Sequence, residues 1–184
     1  MAQKSGSSEK LFDVVLIAIA RDRSGVVESI AKVVADQSGN WVDSSMARLG
    51  GEFAGIVRVE VPKSHVGKLE KALAGLAKDD IDVTVHTDTT HAAPSGQHAR
   101  LELTGLDHVG IVLEITHILA ENEVSIDELK TTVSRGSMGA EPMFYAQADI
   151  VLPEPLGIDD LREALEQIAG DVMVDVELAD PGGA

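Results

Sequence analysis

The sequence repeats itself at an offset of 85 residues, and this repeat constrains the fold more than any other feature. Sliding the chain against itself by that offset aligns an Asp, a Gly and a run of apolar residues without a gap. The aligned pairs include Asp22 with Asp107, Gly25 with Gly110, Ile30 with Ile115, Val34 with Leu119 and Ala35 with Ala120. Two amphipathic helices matched by chance would explain the apolar pairs, but not the Asp and the Gly ahead of them. We therefore interpret the chain as a duplicated unit.

The first half shows the patterns of strand, helix, strand, strand, helix and strand. The predicted strands cover residues 11–20, 40–49, 53–61 and 81–85, and the predicted helices cover residues 26–34 and 66–76. Ser38-Gly39 is a helix-stop signal, and Gly50-Gly51 is typical of a hairpin turn. The order βαββαβ is that of a ferredoxin-like module.

The second half repeats this order. Its predicted strands cover residues 101–105, 124–135, 143–152 and 172–178, its helices cover residues 110–122 and 158–169, and a hairpin lies around residues 136–139. A polar Thr/His/Pro/Ser/Gly stretch separates the halves. We predict an α+β chain of two ferredoxin-like βαββαβ modules in tandem, with a disordered N-terminal segment at 1–10, modules at 11–87 and 99–180, and a linker at 88–98.

The amino-acid composition argues against several classes of function. The chain of 184 residues has 15 Lys and Arg against 31 Asp and Glu, a formal net charge of −16, and only five aromatic residues. Neutralising phosphates requires clustered cations, and binding single strands requires stacking platforms, so direct nucleic-acid binding is not expected. Cysteine is absent, which excludes disulfides and thiolate chemistry. A polar N-terminus and the lack of a long apolar run predict neither signal peptide nor membrane span, so we expect a cytoplasmic protein.

The loop ahead of the first helix of each half is the best candidate for a ligand site. In the first half it comprises Asp22, Arg23, Ser24, Gly25 and Val26, and in the second half Asp107, His108, Val109, Gly110 and Ile111. A helix start presents unpaired backbone N–H groups and the positive end of the helix dipole, so it can receive a carboxylate. Glycine lets a ligand approach the backbone closely.

The next strand begins at Asn40, whose amide can bind both ends of a zwitterion, with Asp43 nearby. A free amino acid would suit such a site. The alternative is that Asp22 or Ser24 merely caps the helix and Gly25 merely makes the turn. Ser125 is the counterpart of Asn40 in the second half.

These residues resemble a known family. The run from Asp22 to Val26 is similar to the D-R-P-G-V signature of ACT domains, βαββαβ modules that bind amino acids at interfaces between modules. The run from Asn40 to Phe53 resembles the pattern N-I-x-D-S-x-x-x-x-L-G-x-x-F in the first module of the glycine cleavage system transcriptional repressor family. The run from Ser125 to Leu129 is similar to the N-I-x-E-L of its second module, and the resemblance extends from about residue 11 to residue 178.

The resemblance implies an amino-acid-sensing regulatory protein. Such a protein would contact a DNA-bound transcription activator of glycine-cleavage genes without binding DNA. A small amino acid such as glycine would be its effector, and no cofactor is implied. Ser24 and Val109 stand where the signature has Pro, and Ser125 stands where the family has Asn, so the first loop is predicted to be the better site. A regulatory subunit that tunes a metabolic enzyme is the alternative.

No catalytic site is predicted. Asp80, Asp82 and Thr84 spell the D-x-D-x-T of a phosphatase nucleophile, but here the motif precedes a strand, whereas the chemistry needs the carboxyl end of a buried strand. The histidines around the linker match no common metal spacing. A stand-alone hydrolase is the third and least favoured hypothesis.

Two further features bear on assembly. Trp41 is either a ligand or interface residue or a strand residue that covers a helix. Both alternating faces of the first strand are apolar, although a ferredoxin-like sheet has helices on only one face. We expect the other module or another chain to cover the second face, and we expect a homo-oligomer.

Overall fold

The structure, a computed structural model, describes residues 10–87, 94–135, 141–168 and 172–178, without side-chain environments for residues 168, 172 and 174–178. The chain divides into two compact units, Met1–His91 and Ala92–Ala184. Residues 1–9 of the predicted N-terminal segment, residues 88–93 of the predicted linker and the hairpin predicted around residues 136–139 lie outside the described residues.

The first unit, module 1, is a four-stranded antiparallel sheet with two helices. Its elements are β1 (Leu11–Arg21), α1 (Val26–Asp36), β2 (Asn40–Leu49), β3 (Glu52–Pro62), α2 (Val66–Ala74) and β4 (Ile81–His86), with 3₁₀ turns at Lys63–His65 and Gly75–Asp79. The strand order is β2-β3-β1-β4. Gly50 and Gly51 both have positive φ and join β2 to β3 as the two-residue turn that the sequence predicted.

The second unit, module 2, repeats this architecture. Its elements are β5 (Gln97–Leu106), α3 (Ile111–Glu121), β6 (Ser125–Arg135), β7 (Pro142–Leu152), α4 (Ile158–Ile168) and β8 (Val172–Leu178), with strand order β6-β7-β5-β8. Each module is therefore a ferredoxin-like βαββαβ unit, and the predicted fold class is confirmed.

Each module has its own apolar core on one face of its sheet. In module 1, Leu16 of β1, Ile30 of α1 and Leu69 of α2 are completely buried together. In module 2, Leu101 of β5 and Leu161 of α4 are buried in the same way. Side chains alternate across a strand, so every second residue of β1 and β5 faces the helices and the others face away from them. We call the side without helices the open face.

The second module begins earlier than the sequence predicted. Gln97 and His98, assigned to the linker, belong to β5 and pair with Leu152 and Val151 of β7. The apolar alternation starts only at Ala99, so the two polar residues at the exposed end of the strand carried no strand signal.

Candidate functional site

The loop of module 1 leads into α1 through a left-handed glycine. Gly25 occupies the N-cap position with φ of 91° and ψ of 0°, and no side chain caps the helix. A Cβ on this residue would meet no atom within 4 Å, so glycine is required by the backbone angle and not by lack of space. The alternative that Asp22 or Ser24 caps α1 is therefore wrong, and the first turn is left without a capping side chain.

Asp22 instead ties the loop to the β2–β3 hairpin. Its backbone N–H donates to the carbonyl of Gly51 at 3.0 Å, and its Oδ2 lies 2.9 Å from Nε of Arg48. Arg23 donates from Nη2 to the carbonyl oxygen of Asp79 at 2.7 Å. Two guanidinium groups thus lie near the loop, and the Asp22 carboxylate neutralises the charge of one of them.

The remaining loop residues contribute differently. Ser24 is exposed and makes no hydrogen bond to the described residues. The side chains of Val26 and of its counterpart Ile111 are buried in the two cores, so these residues can offer a ligand only their backbone. Ser29 donates from its hydroxyl to the carbonyl of Gly25 at 2.8 Å, and Glu28 is the acidic residue of the first turn of α1.

The loop of module 2 has the same backbone and a different chemistry. Gly110 is again the N-cap, with φ of 99°, and the Asp107 N–H donates to Pro142 as the Asp22 N–H does to Gly51. Glu114, the counterpart of Ser29, folds back so that its Oε1 is 3.9 Å from where a Cβ on Gly110 would lie. Its Oε2 is 3.8 Å from Nε2 of His108.

Module 2 therefore already holds a carboxylate beside its helix start. The backbone N–H of Ile111 also donates within the loop, to the carbonyl of His108 at 3.3 Å, and Val109 is fully exposed. An incoming anion would meet the negative charge of Glu114 and one fewer free N–H group. The two loops thus differ in the side chain that returns to the glycine and in one backbone N–H group.

The structure does not bring Asn40 to the loop of its own module. Asn40 pairs with Glu60, which pairs with Asp13 near the start of β1, whereas the loop follows Arg21 at the other end of that strand. Eight residues of β1 separate the two levels, which corresponds to about 27 Å in an extended strand. The expectation that Asn40 and the loop form one pocket within a module is corrected.

Ser125 likewise lies at the opposite end of the sheet from the loop of its own module. It pairs with Val151 opposite His98 at the start of β5, while the loop follows Leu106 at the end of that strand. The cause is common to both modules: β1 and β2, like β5 and β6, run in the same direction, so the end of one strand cannot lie beside the start of the other.

The structure also places the other features that the sequence analysis singled out. Trp41 is partly buried and packs against the core of module 1, which favours its interpretation as a strand residue that covers a helix. Asp80 lies in the turn before β4, as the sequence context predicted, and Asp82 and Thr84 are exposed on that edge strand. In the part of the chain that the structure describes, no cluster of three or more His, Asp or Glu side chains is arranged to hold a metal ion. None of the described helices has the length and apolar character to span a bilayer.

Sequence reasoning missed three residues at these loops. The contrast between Ser29 and Glu114 was detectable, because the two positions align at the repeat offset. Arg48 was not detectable as a partner of Asp22, because their contact depends on the hairpin folding back beside the loop.

Comparison with known proteins agrees with this architecture. Residues 13–87 match the model of the ACT domain family. A crystal structure of an unknown protein from Galdieria sulphuraria is 27% identical with a TM-score of 0.78, and the alignment covers 93% of this chain and 100% of that one. A "putative glycine cleavage system transcriptional repressor" is 15% identical with a TM-score of 0.68, over 92% of this chain and 99% of that one. No curated protein matches the chain.

The likeness to the repressor structure, at 15% identity, shows the fold alone. The family match covers the loop and the hairpin of module 1. The family match thus assigns residues 13–87 to an ACT domain, and the second module has the same βαββαβ fold.

Proposed function

We propose that this protein senses a small amino acid and transmits the signal through contact with another protein, a transcription activator of glycine-cleavage genes, without binding DNA itself. The observation that carries the proposal is the ACT family match over residues 13–87, which includes the open helix start at Gly25. The fold shared with the repressor-like structure supports the choice of regulatory partner.

The ligand would bind at the loop of module 1. Its carboxylate would accept hydrogen bonds from the backbone N–H groups at the start of α1, where Arg23 and Arg48 add positive charge. Module 2 would bind it more weakly, because Glu114 already places a carboxylate at the equivalent position. This is the physical reason for assigning the effector to the first loop.

Asn40 would take part only across an interface between copies of the chain. Within one module it lies about 27 Å from the loop along the sheet. A ligand held by both groups therefore requires a homo-oligomer, in agreement with the binding of amino acids between ACT modules that the resemblance implied. Ligand binding could then shift the equilibrium between two assemblies by its differential affinity.

Calorimetric titration of the full chain with glycine, serine and a panel of other amino acids tests the sensor. We expect saturable binding that Ser29→Glu, which copies the residue of module 2, weakens by about tenfold through charge repulsion. Glu114→Ser, the reciprocal change, is expected to preserve binding at the first loop and to strengthen it at the second. If no amino acid binds, or if Ser29→Glu has no effect, the proposed site is wrong.

The partner is tested with promoter DNA and the activator of the glycine-cleavage genes. We expect the protein alone to leave the DNA unshifted in a gel, because 31 acidic residues repel the phosphates. The activator–DNA complex should be shifted further by the protein, in an amino-acid-dependent way. A shift of DNA by the protein alone would contradict the proposal.

A further inference from the structure

The open face of module 2 carries an open cavity of about 290 Å³ that has no role in the proposed function. It lies over β5, β7 and β6, on the side of the sheet without helices. Six side chains on the open face line it: Glu102, Thr104, Lys130, Thr132, Tyr145 and Gln147.

These residues form two parallel rows across the sheet. Glu102 and Lys130 both pair with Gln147, so the first row carries a carboxylate at one side, an amide in the middle and an ammonium group at the other side. Gln147 donates from Nε2 to Oε1 of Glu102 at 2.9 Å, and Nζ of Lys130 is 2.8 Å from Oε2 of Glu128. One carboxylate oxygen of Glu102 and two of the three Lys130 N–H donors therefore remain available.

The second row is hydroxylated. Thr104 and Thr132 both pair with Tyr145, whose side chain is 40% exposed. None of these three hydroxyl groups makes a hydrogen bond to a described residue. The floor of the cavity thus offers uncommitted donors and acceptors beside an aromatic ring.

Module 1 provides an internal comparison, because the repeat and the strand register identify the same six positions. There they are apolar or small: Ile17, Ile19, Ser45, Ala47, Ala54 and Ile56. The fold itself does not require polar residues at these positions, since module 1 forms the same sheet without them. The polar set is a property of module 2 alone.

We propose that this face of module 2 binds an elongated zwitterion, with its ammonium group at Glu102 and its carboxylate at Lys130. The two residues stand on strands separated by β7, so their backbones are about 10 Å apart. An α-amino acid carries both charges on neighbouring carbons, so it spans a shorter distance than the separation of the two strands. A molecule with its charges several bonds apart, such as an ω-amino acid or a dipeptide, can bridge them over Tyr145.

A series of ω-amino acids of increasing length tests how far apart the two charges of the ligand must be. We would titrate the full chain with glycine, β-alanine, γ-aminobutyrate and ε-aminocaproate, following backbone amide shifts by nuclear magnetic resonance. We expect glycine to leave the amides of Glu102, Lys130 and Gln147 unperturbed, and the longer members to shift them with an affinity that rises with length to a maximum. Higher salt should weaken the binding, because both charges are exposed.

Charge-neutral variants keep the shape of the site. Glu102→Gln and Lys130→Met should each weaken the best ligand by about tenfold, as expected for loss of a charge-assisted hydrogen bond. Ser45→Ala, at the position of Lys130 in module 1, is the matched control and should change nothing. Ser29→Glu should also leave this binding intact, so failure of the loop site and failure of this site are distinguishable.

Three results would overturn the inference. They are no binding of any member to the folded chain, an affinity independent of ligand length, and binding that survives both charge-neutral variants.

Discussion

The first and second modules begin their first helices with the same backbone and with different side chains. Gly25 and Gly110 have φ of 91° and 99°, and the first turn carries Glu28 followed by Ser29 in one module, whereas in the other Glu114 folds back toward its glycine. The open faces differ as well, with exposed isoleucines in module 1 and polar rows in module 2. The two repeats share what the core and the backbone require, while their surface positions differ.

The largest expected loss of stability comes from core substitutions, which test whether the two modules unfold independently. Leu16 and Leu101 are equivalent and almost completely buried, so Leu16→Ala and Leu101→Ala should each cost their own module about 2–5 kcal/mol. Trp41, the single tryptophan, packs against the core of module 1 and reports on that module in denaturant titrations. Leu101→Ala should leave the Trp41 fluorescence transition in place while moving a second transition in circular dichroism. Equal movement of both transitions by either variant would show a single unfolding unit.

A smaller loss of stability is expected at Gly55, whose counterpart in module 2 is an alanine. A Cβ on Gly55 would lie 2.5 Å from the Ser45 carbonyl and 2.8 Å from Cα of Met46, whereas the equivalent position in module 2 holds a buried Ala146. Gly55→Ala should therefore destabilise module 1 by about 1–3 kcal/mol through overpacking against the neighbouring strand. Urea titration followed by Trp41 fluorescence measures it. A neutral result would mean that β2 moves aside at no cost.

The two helix-start glycines should respond alike. Gly25→Ala and Gly110→Ala each force alanine into the left-handed region without a steric clash, at a cost of about 1–2 kcal/mol. Thermal unfolding of the two variants should show similar decreases in melting temperature. Clearly unequal decreases would contradict the interpretation that the two loops share one backbone conformation.

The smallest effect concerns the ion pair that only module 1 has. Arg48→Met removes the partner of Asp22, and because the Arg48 side chain is 70% exposed the loss should be about 0.2–1 kcal/mol, shrinking at high salt. Val133→Met, at the equivalent position of module 2, is the control. Denaturant titrations at low and high salt compare the two. A loss well above that of an exposed pair would mean that Arg48 has a structural role beyond Asp22.

Much of the architecture was accessible from the sequence because its signals are local. The continuous apolar run of β1, the helical stripe of α1, the apolar alternation of β3 and the Gly50-Gly51 turn each depend on residues within one element, and the structure confirms them. The start of β5 was missed because Gln97 and His98 lack that alternation.

The candidate site was less accessible. The loop residues were identifiable from the helix start and the glycine, but their pairing with Asn40 was an inference from adjacency along the chain. The strand register separates them, because β1 and β2 run in the same direction within the sheet.

The sequence by itself thus determined the duplication, the βαββαβ order of each half and the position of the glycine-led helix starts, since periodicity and turn preferences act over a few residues. Only the tertiary structure decided that Asn40 lies at the far end of the sheet, that Arg48 meets Asp22, and that Glu102, Gln147 and Lys130 form one row. Those relations depend on strand order and register, which are set by long-range pairing between segments that no local pattern connects.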